Sequence, residues 1–358
     1  MRTKPTPYQF YDDPLRFYNA IFSDILRAKE YIYLETYRVG YDEIGIRLRD
    51  LLVRKAQEGI KIKLLIDSWG GNALPGYFFD TFKKFGGEVR FFTKIKINSD
   101  FFTRSHRRNH RKLLIIDNDI SYIGSSNFTA YNMNWRESVL RISGGIANTF
   151  KEIFNQNFTL YNKYVFELPK YTKTIYSEGF EIIRDVPSIA IQKIKKKYIE
   201  IIKEAKRKII IETPYFLPGF LLRKALTDAA KRGVEVNIIL PRHSDVGVID
   251  ILRNKYLGPL HSSGVKILFY QEHNLHAKLI LIDDSLFSIG SSNFDFRSFR
   301  YMHEIVILGK NRAVTKQLIK HFQFSINNSI PFDYFKWQSR SWINRFFEWL
   351  LLPLRHLL

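Results

Sequence analysis

Two histidines in this chain stand in matching polar settings inside otherwise apolar segments. Residues 110–127 read HRKLLIIDNDISYIGSSN and residues 276–293 read HAKLILIDDSLFSIGSSN, 166 positions further on. Each copy carries His-x-Lys, four apolar residues, Asp, six residues, then Gly-Ser-Ser-Asn. Residues two apart on a strand share a face, so His110 points with Lys112 and His276 with Lys278. Ser125 with Asn127, and Ser291 with Asn293, come back on a following strand. A site built from both copies holds two imidazoles, two ammonium groups and several neutral donors. Such a set suits a phosphodiester. Cations and amides neutralise phosphoryl oxygens as charge grows in a pentacoordinate transition state, where one lost donor costs about a hundredfold or more in rate. Imidazole titrates at about 6.5, so one ring can be neutral and nucleophilic while the other is protonated and acidic.

No metal or cofactor is required by this chemistry. Zinc takes three or four His, Asp or Glu ligands, and a lysine beside each histidine repels a cation. Asp117 and Asp283 end the two apolar runs, where turn formation is the ordinary work of an aspartate. The chain has no cysteine, which excludes disulfides, thiolate nucleophiles and iron–sulfur clusters. Its formal net charge of +21 asks for a polyanionic partner, either nucleic acid or an anionic lipid surface. The opening MRTKPTPYQFYDD lacks the apolar core of a secretion signal, and no long uncharged apolar run predicts a membrane span.

The elements that must carry these residues repeat as well. AKEYIYLETY at 28–37 matches AKRKIIIETPY at 205–215, and EGIKIKLLID at 58–67 matches RGVEVNIILP at 232–241. Each half reads as helix, apolar strand, helix, apolar strand, then the strand bearing the motif. RLRDLLVRKAQEG and LLRKALTDAAKRG have helical spacing and stop at a glycine. The expected fold is α/β: two tandem lobes, each a mixed sheet flanked by helices, related by a pseudo-two-fold with the active site at their interface. The expected boundaries are 1–165 for the first lobe, 166–187 for a linker and 188–330 for the second lobe, with an amphipathic tail at 331–358. Beyond Pro187, Ile191, Ile194, Tyr198, Ile201 and Ala205 fall at helical spacing, and the lysines among them read as a solvated face.

On these residues the chain resembles the phospholipase D superfamily, whose signature is a pair of His-x-Lys-(four residues)-Asp motifs, each followed by Gly-Ser-x-Asn. The likeness spans residues 8–325. Within the superfamily it is most similar to bacterial cardiolipin synthases of the short kind without N-terminal membrane helices, through RNHRKLLIID at 108–117, TPYFLPG at 213–219, LHAKLILIDD at 275–284 and GSSNFDFRSF at 290–299. The resemblance implies a ping-pong phosphatidyl transfer that joins two phosphatidylglycerols into cardiolipin and glycerol. It implies His110 as nucleophile and His276 as acid and base. Lys112, Lys278, Asn127, Asn293, Ser125 and Ser291 would bind phosphate, and Asp117 and Asp283 would belong to the catalytic set. Glu137 and Glu304, 27 and 28 residues after their histidines, would orient the rings.

Other residues bear on lipid against nucleic acid. The first half has a longer stretch before its motif, with Phe101 and Phe102 among Lys94, Lys96, Arg104, Arg107 and Arg108. That mixture suits an anionic interface and also single-stranded nucleic acid, whose bases stack on aromatics. SWINRFFEWLLLPLRHLL at 341–358 is too short and too charged to span a bilayer, but fits the headgroup plane. GGNALPGYFF at 70–79 is a candidate second apolar lip. The expected partners are phosphatidylglycerol and a membrane surface, ahead of nucleic acid, for a cytoplasmic protein peripheral to the inner face of the cell membrane. A phosphodiesterase acting on phospholipid or nucleic acid would use the same site.

Overall fold

The computed structural model describes residues 7–92, 107–161 and 168–356. The repeat seen in the sequence is a repeat of topology. In the first lobe the strands lie side by side in the order Tyr8–Tyr11, Val139–Ser143, Ile120–Gly124, Leu113–Ile116, Tyr31–Thr36, Lys61–Asp67 and Glu88–Phe92. The second lobe follows the same order with Phe180–Asp185, Met302–Gly309, Leu286–Gly290, Leu279–Ile282, Lys208–Glu212, Glu235–Pro241 and Lys266–Tyr270. Each sheet is mixed. Tyr31–Thr36 and Lys61–Asp67 pair in parallel through a covering helix, whereas the motif strands pair antiparallel as hairpins.

The expected linker is corrected here. Residues 166–187 contain the second lobe's edge, since Phe180–Asp185 runs antiparallel to Met302–Gly309 as Tyr8–Tyr11 runs beside Val139–Ser143. The second lobe therefore begins at this strand and not at residue 188. Two prolines and the turn at Glu178-Gly179, both at positive φ, hid a strand whose Phe180, Ile182 and Ile183 are buried.

Helix ends follow local chemistry. Asp42 caps the helix Glu43–Gln57 by accepting from the N–H groups of Ile44 and Gly45 at 3.2 and 3.1 Å. That helix stops before Gly59, and Phe220–Lys231 stops before Gly233, with φ of +84° and +86° that a side chain resists.

Alternation along the motif strands ties the lobes together. Leu113 and Ile115 face a core shared by both lobes, while Leu114 and Ile116 face the first lobe's outer helices. Leu279 and Leu281 enter the same shared core, and Ile280 and Ile282 face the second lobe's outer helices. The helices Ile146–Leu160 and Arg312–Asn327 fill that core with Phe150, Phe154, Leu318 and Phe322. Among the described residues no helix is long and apolar enough to cross a membrane. Because both sheets lean on one core, Phe154→Ala is expected to cost about 3–5 kcal/mol and to lower both lobes in a single calorimetric transition. Two separated transitions would contradict a shared core.

Candidate active site

Both histidines sit in the extended lead-in to their motif strands, one residue pair before Leu113–Ile116 and Leu279–Ile282 begin. Each lead-in pairs with the other lobe. Arg108–Asn109 runs parallel to Met302-His303, and the His110 N–H donates to the His303 carbonyl at 3.0 Å. Asn274–Leu275 runs parallel to Trp135–Arg136, and the His276 N–H donates to the Arg136 carbonyl at 2.8 Å. The next residue on each receiving strand is a glutamate. His110 Nδ1 lies 3.0 Å from Glu304 Oε1, and His276 Nδ1 lies 3.0 Å from Glu137 Oε2. The carboxylates thus cross over: each ring is held by the glutamate of the opposite lobe, not by the one that follows it in its own repeat. Nε2 of each ring is left as the nitrogen available to a substrate.

Ser125 and Ser291 do other work than the expected phosphate binding. Both are fully buried, and their hydroxyls donate to Glu137 and Glu304 respectively. The preceding glycines make this possible. A Cβ on Gly124 would lie 2.1 Å from the Ser138 carbonyl oxygen, and one on Gly290 would lie 2.2 Å from that of Ile305. Only a bare backbone lets the two strands close, so that Ser138 and Ile305 donate their N–H groups to the serine hydroxyls at 2.7 and 3.0 Å.

Asn127 and Asn293 do line the cleft, with their Oδ1 atoms buried and unpartnered within the protein. Lys112 and Lys278 are buried, and each donates back to the carbonyl of its own histidine, at 2.8 and 2.7 Å. Asp117 and Asp283 are elsewhere, which corrects their place in the catalytic set. Both have positive φ at the far end of the motif strand. Asp117 accepts from the N–H groups of Lys29, Glu30 and Tyr31, and Asp283 from those of Lys206, Arg207 and Lys208. They fasten the start of the neighbouring strand.

The two halves of the site differ electrostatically. Burial pushes the Glu137 carboxyl up, but the His276 imidazole and Lys278 outweigh it and hold it at about 2. Burial dominates at Glu304, whose carboxyl is pushed up to about 7 against the pull of Lys112. His110 is held well below the ordinary imidazole range by burial and by Lys112 and Lys278. His276 is lowered too, chiefly by burial, although Glu137 favours its charged form. A neutral imidazole therefore faces the cleft at 110, and the ring at 276 has an ionised carboxylate behind it.

The cleft itself encloses about 370 Å³ between the lobes. Tyr37 meets the His110 ring edge-on at 5.4 Å, and Trp135 lies 5.2 Å from the His276 ring. Arg297, Tyr215 and Asp245 complete the wall, with the Tyr215 hydroxyl donating to Asp245 at 2.7 Å. Tyr37 and Tyr215 were visible as the repeated Glu-Thr-Tyr and Glu-Thr-Pro-Tyr ends; nothing in the sequence marks Asp245. Arg108, expected at an interface, is buried instead and meets Asp67 at 3.3 Å. Lys94, Lys96, Phe101, Phe102 and Arg104 lie outside the described residues. In the expected lip at 70–79, Phe78 and Phe79 are core residues, and Tyr77 is exposed. Among the described residues no group of three or more His, Asp or Glu is placed to hold a metal ion.

Burying two lysines carries a pH signature. Burial, with Lys278 nearby, lowers the Lys112 ammonium to about 7, and burial against the pull of Glu137 leaves Lys278 at about 8. The unfolded chain keeps these protons up to the ordinary lysine value of 10.5. Between those limits it binds more protons than the folded chain, so stability rises with pH there and the cost is full below about pH 7. Lys112→Met is expected to stabilise the fold by roughly 1–2 kcal/mol at about pH 6, with the gain shrinking towards alkaline pH. Thermal melts across pH check this, and an unstable variant at every pH would contradict it.

A family model described as "Cardiolipin synthase, PLD-like domain" matches residues 21–158 and 198–325. The chain is 35% identical over 316 residues to a cardiolipin synthase of Listeria welshimeri, covering 85% of this chain and 65% of that relative. It is 32% identical to the major cardiolipin synthase of Bacillus subtilis, covering 91% of this chain and 70% of the relative. It therefore spans about two thirds of the length of these relatives. A phosphatidylserine synthase structure from Haemophilus influenzae superposes with a TM-score of 0.80 over 99% of this chain and 96% of that one, at 15% identity, a likeness of fold. With both halves matched and the two His-x-Lys repeats facing one cleft, the chain belongs to the phospholipase D-like family of the cardiolipin synthase domain.

Proposed function

We propose that this protein is a phosphatidyltransferase that joins two phosphatidylglycerols into cardiolipin and releases glycerol. The observation that carries the reading is the unequal pair of crossed imidazole–carboxylate contacts in one cleft. His110, kept neutral, suits attack through Nε2 on the phosphorus of the first lipid. The bond from phosphorus to the headgroup glycerol oxygen breaks, and His276, in the protonated form that the ionised Glu137 favours, gives that oxygen its proton from Nε2. A phosphatidyl group is then bonded to His110. The hydroxyl of a second phosphatidylglycerol attacks phosphorus, His276 takes its proton, and the bond to His110 breaks. Lys112, Lys278, Asn127 and Asn293 stabilise the phosphoryl oxygens throughout. Glu304 and Glu137 fix the ring orientations and tautomers.

A lipid surface as partner is supported by the tail. In the helix Trp342–Leu350 the carboxylate of Glu348 turns inward, 5% exposed, to meet Arg340 at 2.9 Å. Trp342 and Trp349 point outward at 76% and 65% exposure, beside Phe346 and Leu350. The polar side docks and the apolar side faces away, the orientation that an interfacial helix needs. We infer peripheral attachment at the inner face of the cell membrane.

Mass spectrometry after incubation with phosphatidylglycerol vesicles tests the reaction. Cardiolipin with free glycerol is the expected product; phosphatidic acid alone would make water the acceptor, and no lipid turnover by folded protein would favour a nuclease. His110→Ala is expected to lower turnover by about a thousandfold or more, while His276→Ala should accumulate the phosphatidyl adduct on His110. An adduct mapped to His276 would reverse the two roles. Trp342→Ala with Trp349→Ala should weaken vesicle binding roughly tenfold or more and leave the melting temperature unchanged. Vesicle affinity unchanged by the double substitution would contradict the interfacial tail.

A further inference from the structure

Phosphate chemistry leaves one group of the cleft without a use. The lining holds imidazoles, amides and the guanidinium groups of Arg38 and Arg297, all suited to an anion, yet it also includes two carboxylates, Asp295 and Asp245. Asp295 has a structural task. It is 2% exposed and caps the helix Phe296–Tyr301, accepting from the Ser298 N–H at 2.6 Å. Asp245 has no such task. It lies exposed between the strand Glu235–Pro241 and the helix Gly247–Ser262, and no side chain caps that helix.

A single contact sets the Asp245 carboxylate in place, the Tyr215 hydroxyl donating to its Oδ1 at 2.7 Å. Burial and the Asp245 charge both keep the Tyr215 phenol protonated, so the phenol donates and the carboxylate accepts. Oδ2 has no protein partner among the described residues. A carboxylate oxygen presented to a cleft in this way accepts hydrogen bonds and repels a phosphodiester.

The duplication does not repeat this group. Residues 58–67 match 232–241, and counting on from them brings Asp245 level with Gly71. On that side the wall is Trp69, Gly70 and Asn72, with no charge. The carboxylate therefore belongs to the second lobe's side, where it opposes the burial that lowers the His276 imidazole. His276 is the ring that exchanges a proton with a glycerol oxygen in the reaction proposed above. A glycerol ester carries two further hydroxyls on its next two carbons, which are donors for such an oxygen. An ammonium headgroup would also meet the carboxylate, but Arg38 and Arg297 in the same cleft disfavour a second cation.

We propose that Asp245, positioned by Tyr215, selects a polyol headgroup by accepting hydrogen bonds from the free hydroxyls of glycerol on the His276 side of the cleft. The proposal rests on the phosphatidylglycerol reading and names the group that recognises that headgroup. A site built to bond a substrate hydroxyl discriminates strongly against the analogue that lacks it, because the charged acceptor is then left without its donor.

The test measures kcat/KM of the full chain on monomerically dispersed short-chain phosphatidylglycerol and on phosphatidylpropanol, whose headgroup has the same three carbons without the free hydroxyls. Wild type should favour phosphatidylglycerol by about tenfold or more. Asp245→Ala should remove most of that preference, with the loss falling on phosphatidylglycerol. Asp245→Asn keeps an acceptor oxygen without the charge and should lie between the two. Melting temperatures should stay unchanged, since the side chain is exposed. Equal losses on both lipids would mean that the carboxylate acts only through the charge of His276, and would overturn the proposal. A preference left intact by Asp245→Ala would also overturn it. So would a wild-type preference for phosphatidylethanolamine over phosphatidylglycerol that Asp245→Ala removes, which would make this a cation site. Hydrolysis of phosphatidylglycerol without cardiolipin would sink the transfer reaction and leave the headgroup preference standing. Cardiolipin formation without any wild-type headgroup preference would sink this proposal alone.

Discussion

The contact between each imidazole and a carboxylate of the opposite lobe is the constraint from which the rest of this architecture follows. Neither lobe can complete a His–Glu pair alone. His110 needs Glu304, His276 needs Glu137, and the four backbone strands that bear them interleave as two short parallel pairings across the lobe boundary. For that exchange to hold, the lobes must meet in one register, and the shared core supplies it through Phe150, Phe154, Leu318 and Phe322. The Gly-Ser steps at 124–125 and 290–291 serve the same contact, since each closes a strand gap and places a hydroxyl on the carboxylate.

This site opposes the stability of the fold that holds it. Two ammonium groups, two carboxyls and two imidazoles are withdrawn from water, and each buried charge costs several kcal/mol before its partners offset part of it. The chain meets that cost with sheets covered on both faces. The same burial has a functional side. It differentiates two chemically identical repeats, because Glu137 keeps its charge beside His276 while Glu304 gives way to its surroundings. A symmetric sequence motif thus becomes an asymmetric pair of imidazole–carboxylate contacts.

Charge is distributed with a similar division of labour. Near the cleft the basic groups are enclosed: Arg108 meets Asp67, and Lys112 and Lys278 donate to the carbonyls of their own histidines. The tail helix has its carboxylate turned in and its tryptophans turned out. Gly258 makes room for this arrangement, since a Cβ there would strike the Trp337 ring at 2.1 Å, and Trp337 anchors the tail by donating to the Asn254 carbonyl at 2.7 Å.

Much of this was legible in one dimension because a duplication preserves spacing. Two copies of His-x-Lys with Gly-Ser-Ser-Asn, 166 residues apart, point to phosphodiester chemistry and predict the α/β lobes and the shared cleft. Local rules also placed the helix stops at Gly59 and Gly233, where only a positive φ was at stake. Tertiary structure decided what depends on distance between remote segments. It crossed Glu137 and Glu304 between lobes, took Ser125 and Ser291 from phosphate to carboxylate, and moved Asp117 and Asp283 to strand anchoring. It also made Phe180–Asp185 a sheet edge and brought Tyr215 and Asp245 together at the cleft. Spacing within a segment encodes which face a side chain shares with its neighbours. Which segment lies across from that face is set by packing, and the partner then determines charge, burial and role.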